Sequence, residues 1–354
     1  MKRWQLAPAL IEAGPLRLRR RHPPLVPFAL QPALSGTRHS LQSRRADRIS
    51  WYQDGPAPTR GSPPMLLMHG IGAAASAYDV RPLYEHYRHT RRVYAVEFPG
   101  YGFSARQDRR YTPRLMTDAV HEVLEQIRRE YGYAPVDALA LSLSCEFLAR
   151  AATENSAAFR SVALASPTGL SGSQLREGRA GSTMGTRWTS TILMGSRWQR
   201  PLYDFITRPM CLRLSLRRVF GSRRIDPGLL EYDWLVGRQA GAQFAPMSYL
   251  SGCLYSGDSG RLYRGLKKPV WLVHGTRGAY ARYAGLARLA DRRNWTVQTL
   301  PTGAMPWFEM PEEFIRRYDA WLEGVCQTAF PNVALGRTDG RAESPVHLAR
   351  TDAA

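Results

Sequence analysis

The stretch DALALSLSCEFLARAA (137–152) changes character in its middle. DALAL (137–141) is a short, small-residue apolar run of the kind a buried strand uses, while EFLARAA (146–152) follows a helical pattern. Ser142 and Ser144 fall on the turn between them. A strand that passes at once into a helix is the unit from which parallel sheets are built.

The same alternation recurs on both sides of this stretch. RISWYQ (48–53), MLLMH (65–69), RVYAVE (92–97), SVALAS (161–166), VWLVH (270–274) and WTVQTL (295–300) are further short apolar or β-branched runs. SAYDVRPLYEHY (76–87), PRLMTDAVHEVLEQIRREY (113–131) and CEFLARAATE (145–154) are helical, and Pro113 takes a first-turn position after Thr112. Near-continuous apolar strands alternating with helices predict the α/β class, with a mostly parallel twisted sheet flanked by helices.

Between Pro167 and Lys267 the alternation stops. RWQRPLYDFITRPM (197–210) and YDWLVGRQAGAQF (232–244) are helix-like pieces broken by Gly and Pro, and strands resume only at VWLVH. Residues 170–265 are therefore expected to form a helical cap inserted between two late strands, over a core made of residues 48–169 and 266–326. The first 47 residues, with RLRRRHPPLVPFALQP (17–32) at their centre, mix proline with arginine and predict an irregular arm. Residues 327–354 predict a loose polar tail.

Composition excludes several function classes. The 354 residues are 44% hydrophobic with 9 tryptophans, and no apolar run approaches the roughly 20 residues a membrane-spanning helix needs. Cys145, Cys211, Cys253 and Cys326 are widely separated and form no CxxC pair, so neither a disulfide framework nor a metal site is expected. No cofactor is expected either, and a cytoplasmic setting fits best. The net charge of +20 comes almost wholly from arginine, since only three of the 49 basic residues are lysines. It is concentrated in residues 1–48, with ten basic residues against two acids, and in residues 171–230, with eleven against three. Such a surplus suits an anionic ligand or a peripheral membrane contact, while no nucleic-acid motif accompanies it and no nucleic-acid partner is expected.

Together these pieces resemble the α/β-hydrolase superfamily over roughly residues 48–325. LLMHGIGAAASAYD (66–79) is similar to the family's strand and His-Gly oxyanion turn, and VEFPGYGFS (96–104) to its Pro-Gly-x-Gly-x-Ser loop, with Glu97 where Asp is usual. ALSLSCEF (140–147) resembles the nucleophile elbow, and PTGAMPWFEMPEEF (301–314) the segment that ordinarily supplies the histidine. An elbow needs small residues two before and two after the nucleophile, because strand and helix backbones approach closely there. Ser142, flanked by Ala140 and Ser144, meets that requirement, whereas centring on Ser144 would put Glu146 in the crowded place. The resemblance then implies that the amides of Leu143 and Ile71 form the oxyanion hole.

A serine hydroxyl requires a general base. The position the resemblance assigns to histidine is Ala304, and the loop assigned to the acid reads Gly275-Thr276-Arg277-Gly278-Ala279-Tyr280, with Gly278 at the usual Asp. Of the other histidines, His69 belongs to the oxyanion turn, His274 ends a strand and His347 lies in the tail. Cys145 adjoins the elbow and is expected to be a packing residue.

Two functions follow. One is a serine hydrolase that acts on an ester or related acyl substrate through Ser142, with an incomplete triad and weak turnover. The other is a binding or regulatory protein on the same scaffold, holding a small amphipathic or anionic ligand under a basic cap whose Trp188 and Trp198 contribute to the site.

Overall fold

The computed structural model describes residues 29–329 apart from 60–61, 173, 195–196 and 290–291. Among the described residues eight strands form one sheet: β1 (Thr37–Ser43), β2 (Asp47–Asp54), β3 (Met65–Met68), β4 (Val93–Glu97), β5 (Val136–Leu141), β6 (Phe159–Ala165), β7 (Val270–Gly275) and β8 (Trp295–Leu300). Their order is β1-β2-β4-β3-β5-β6-β7-β8. β1 and β2 pair antiparallel, as do β2 and β4, and the remaining pairs are parallel. This is the mostly parallel α/β sheet that the alternation predicted and the α/β-hydrolase fold that the resemblance implied.

Strand periodicity sorts the core into two layers. Along β5, Ala138 and Ala140 pack to one side while Leu139 and Leu141 pack to the other; along β7, Val270 and Leu272 oppose Trp271 and Val273. The first layer is closed by α2 (Pro113–Tyr131) and α3 (Ser144–Glu154), and the second by α1 (Arg81–Tyr87) and α11 (Pro311–Ala329), with α10 (Pro306–Glu309) just ahead of it. α2 shows why such helices form. Thr112 caps it by accepting from the Leu115 amide at 3.2 Å, and Met116, Val120, Val123 and Ile127 repeat at helical spacing to bury one face.

Six helices lie between β6 and β7: α4 (Arg187–Met194), α5 (Gln199–Ile206), α6 (Pro209–Phe220), α7 (Pro227–Gly237), α8 (Phe244–Leu250) and α9 (Ser259–Gly265). α6 and α7 send Leu212, Leu216, Phe220 and Leu229 into the second layer, so this insertion shares the main core.

One expectation needs correction. The arm of residues 1–47 is not irregular throughout: residues 29–36 form no helix or strand, but Thr37–Ser43 pairs with β2 over its full length. β1 is an edge strand with one face exposed and the other only partly covered, through His39, Leu41 and Ser43, so its sequence carries almost no apolar alternation. Its pairing is dictated by the partner, and His39 stacks on Trp51 at 5.6 Å. Residues 1–28, and the tail beyond Ala329 with His347, lie outside the described residues; α11 itself runs three residues past the expected end of the core at 326.

Candidate active site

β5 ends at Leu141 and α3 begins at Ser144, which leaves two residues to reverse the chain. Ser142 makes the turn with φ 57°, a left-handed conformation that costs a non-glycine residue roughly 1–2 kcal/mol. Its amide donates to the Ala165 carbonyl at 2.8 Å, and its own carbonyl accepts from the Cys145 amide at 3.2 Å, so neighbouring backbone holds the turn. The two serines are treated differently. Ser144 is fully buried and its Oγ donates to the His69 carbonyl, whereas Ser142 stays half-buried at the head of the turn. Glu146, also buried, accepts from Thr168 Oγ1 at 2.5 Å and from the Ser256 amide at 2.7 Å. It ties α3 to the β6–β7 insertion.

The turn after β3 lies beside the elbow, since Met68 is in register with Ala140. His69 is fully buried; its Nδ1 lies 2.5 Å from the Gly70 carbonyl and its Nε2 accepts from the Phe98 amide at 3.1 Å. These partners require a neutral ring protonated on Nδ1, and burial pushes its pKa down to about 4. His69 is therefore a strut of the turn. The Leu143 and Ile71 amides bond to no group among the described residues, although both side chains are buried.

Behind that turn sits a pair of acids that sequence reasoning did not single out. Asp79 lies in the 3₁₀ turn Ala77–Val80, and its Oδ2 accepts from the Gly70 amide at 3.0 Å. Asp233, on α7, faces it; both are buried, and Asp233 Oδ1 has no hydrogen-bond partner among the described residues. Burial pushes the Asp79 carboxyl up to about 7, and burial followed by the Asp79 charge pushes Asp233 well above its ordinary value. Asp79 closes the quoted LLMHGIGAAASAYD run, but Asp233 is 154 residues away in sequence and only packing brings it there.

The loops assigned to base and acid meet the end of α6. Ala304 is buried, and its amide donates to the Val219 carbonyl at 2.9 Å; a Cβ added to Gly303 would lie 2.4 Å from the Phe220 backbone. Gly278 has φ 86°, a Cβ on it would lie 2.6 Å from the Arg218 carbonyl, and the Ala279 amide donates to that same carbonyl at 3.0 Å. Gly221 ends α6 in the left-handed region and would place a Cβ 2.3 Å from the Gly278 nitrogen. Backbone packs on backbone across the whole contact.

Among the described residues no side chain hydrogen-bonds the elbow serine. His274 directs Nδ1 at the Gly275 carbonyl, 2.9 Å away, and lies against the Tyr283 ring with centroids 4.1 Å apart. Ser166, just past β6, donates its Oγ to the Ala304 carbonyl at 2.9 Å. Among the described residues the Ser142 hydroxyl has no hydrogen-bond partner. Cys145 is buried with Sγ 3.1 Å from the Ala140 carbonyl, and burial holds its thiol well above the usual range, so it is protonated and inert. Trp188 and Trp198 stand exposed on the insertion. No cluster of His, Cys, Asp or Glu able to hold a metal ion occurs among the described residues.

The sequence profile of the alpha/beta hydrolase family matches residues 65–317, more than half of the chain. The chain belongs to the alpha/beta hydrolase family. That match spans the His69-Gly70 turn, the Ser142 turn, the insertion and the Ala304 loop. Solved structures of the same fold include a membrane phospholipase A described as a bacterial virulence factor, at 19% identity and TM-score 0.59, covering 82% of this chain and 86% of that one. A probable hydrolytic enzyme from Pseudomonas aeruginosa is 20% identical with TM-score 0.61, over 82% and 95% of the two chains. An esterase from Exiguobacterium antarcticum is 14% identical with TM-score 0.61, over 82% and 100%. At such identities the likeness establishes the fold alone. No curated protein sequence matches the chain.

Proposed function

We propose that this protein binds a small amphipathic or anionic acyl compound on the hydrolase scaffold, and that turnover of an ester through Ser142 is slow at best. The observation that carries this reading is the hydroxyl of Ser142, which has no proton acceptor among the described residues. A serine hydroxyl is a poor nucleophile at neutral pH without such a partner. In this reading residues 170–265 are a cap over a core of residues 48–169 and 266–326, and the end of α6 rests where the family's base and acid would stand.

A slow esterase is the second reading, favoured by the left-handed Ser142 and the unpaired amides of Leu143 and Ile71. An oxyanion hole and substrate binding alone can leave roughly 10³- to 10⁴-fold acceleration over water. Esterases and a putative lipase among the structural neighbours favour an ester as the compound's class.

Labelling with a fluorophosphonate and hydrolysis of an aryl acetate separate the two. The binding reading expects neither to exceed the Ser142→Ala background by more than a few fold, and robust turnover abolished in Ser142→Ala would overturn it. Restoring the triad calls for Ala304→His with Ala279→Asp, because Gly278 has no room for a side chain. That double variant should raise esterase activity well above background.

A further inference from the structure

Eleven large apolar side chains stand exposed among the described residues, and eight of them belong to residues 184–250 of the insertion. Trp188, Trp198 and Met210 are 73%, 74% and 74% exposed. Trp188 and Ile192 are one turn apart on α4, and Met210 and Leu214 are one turn apart on α6, so each pair shares a face. α5 and α6 already bury Tyr203, Leu212, Leu216 and Phe220. α4, α5 and α6 thus each carry outward apolar side chains that packing among the described residues leaves uncovered.

Arginine is interleaved with it. Arg197, Arg208 and Arg213 are exposed, and the Arg208 guanidinium lies 5.2 Å from the Phe205 ring centroid. Across residues 184–225 the sequence holds nine arginines and a single acid, Asp204, which is paired with Arg200 at 3.0 Å. The occupant must accordingly be apolar and anionic at once.

We propose that the outer face of α4, α5 and α6 docks on the surface of an anionic phospholipid bilayer. Helices with tryptophan and aliphatic side chains beside arginines lie in the headgroup plane: the rings and chains enter the acyl boundary and the guanidiniums meet phosphates. A second copy of the chain fits poorly, because a two-fold contact through this face would set arginine against arginine. Nucleic acid fits less well, since the aliphatic Ile192, Met210 and Leu214 exposed beside the aromatic rings gain an apolar partner in acyl chains and none in a phosphate backbone. Among the described residues no helix is long and apolar enough to cross a membrane, so the docking is peripheral.

Co-sedimentation of the full chain with vesicles of phosphatidylcholine, alone or with about a third phosphatidylglycerol, tests the docking. Binding to the anionic vesicles should exceed binding to the neutral ones by at least tenfold, weaken in 0.5 M salt, and blue-shift the tryptophan emission. An arginine near such a surface contributes on the order of fivefold in affinity, so Arg208→Glu with Arg213→Glu should lose about 25-fold or more. Trp188→Ser with Trp198→Ser should lose both affinity and the blue shift, while Tyr133→Ser, exposed elsewhere, should change neither. All these positions are exposed, and a thermal melt verifies that each variant folds. Failure to sediment with anionic vesicles overturns the proposal, as does binding that survives both double variants. Concentration-dependent dimerisation without lipid that the tryptophan variant abolishes would assign the face to a second copy instead.

Discussion

Ser142 carries two separable properties, a strained backbone and a hydroxyl. The strain predicts that Ser142→Gly stabilises the protein by about 1 kcal/mol, since glycine occupies φ 57° without the steric penalty of a Cβ. Ser142→Val should destabilise it by at least as much, and urea denaturation measures both. Loss of stability in the glycine variant would mean that the side chain, not the backbone, holds the turn. The hydroxyl was identifiable from the sequence because the small-flank rule depends only on neighbours at fixed spacing. What surrounds that hydroxyl was not, because Ala165, Thr168 and Asp79 reach the elbow region from other strands and turns.

At the scale of elements, the end of α6 decides how the insertion meets the core. Val219 and Arg218 offer carbonyls to the amides of Ala304 and Ala279, and Gly221 closes the contact at φ 58°. Gly221→Val should therefore cost more than about 2 kcal/mol, because a left-handed β-branched residue is strained and its Cβ would strike the Gly278 backbone. Hydrogen exchange should show the Ala304 and Ala279 amides losing protection together. Continued protection of both would show that the docking does not depend on Gly221. Seven of the eight strands were legible as apolar or β-branched runs, six of them because burial writes itself into composition and β8, the half-exposed far edge, through its Val and Thr residues. β1 was not, because an edge strand takes its register from the backbone of β2 and needs no apolar side chains of its own.

Across the whole molecule, Asp79 in the core and Asp233 in the insertion couple stability to pH. The Asp79 carboxyl is raised to about 7, and Glu97, also buried, is raised to about 7 mainly by burial. A raised carboxyl pKa stabilises the fold most below the unfolded value near 4, and that contribution is lost as pH rises through 7. Thermal stability should thus fall between pH 5 and 8, and Asp79→Asn, which keeps an acceptor for the Gly70 amide, should flatten part of that slope and raise Tm more at pH 8 than at pH 5. An unchanged slope in the variant would refute the pairing. By itself the sequence determined the order of seven strands and the small-flanked serine turn between β5 and α3, because these depend on local spacing and residue type. Only the tertiary structure decided that α6 backs onto the Ala304 and Gly278 loops, that Asp233 faces Asp79, and that apolar, arginine-rich surface of the insertion is left uncovered by the described residues. Each of these joins residues far apart in the chain, and their distance is set by packing.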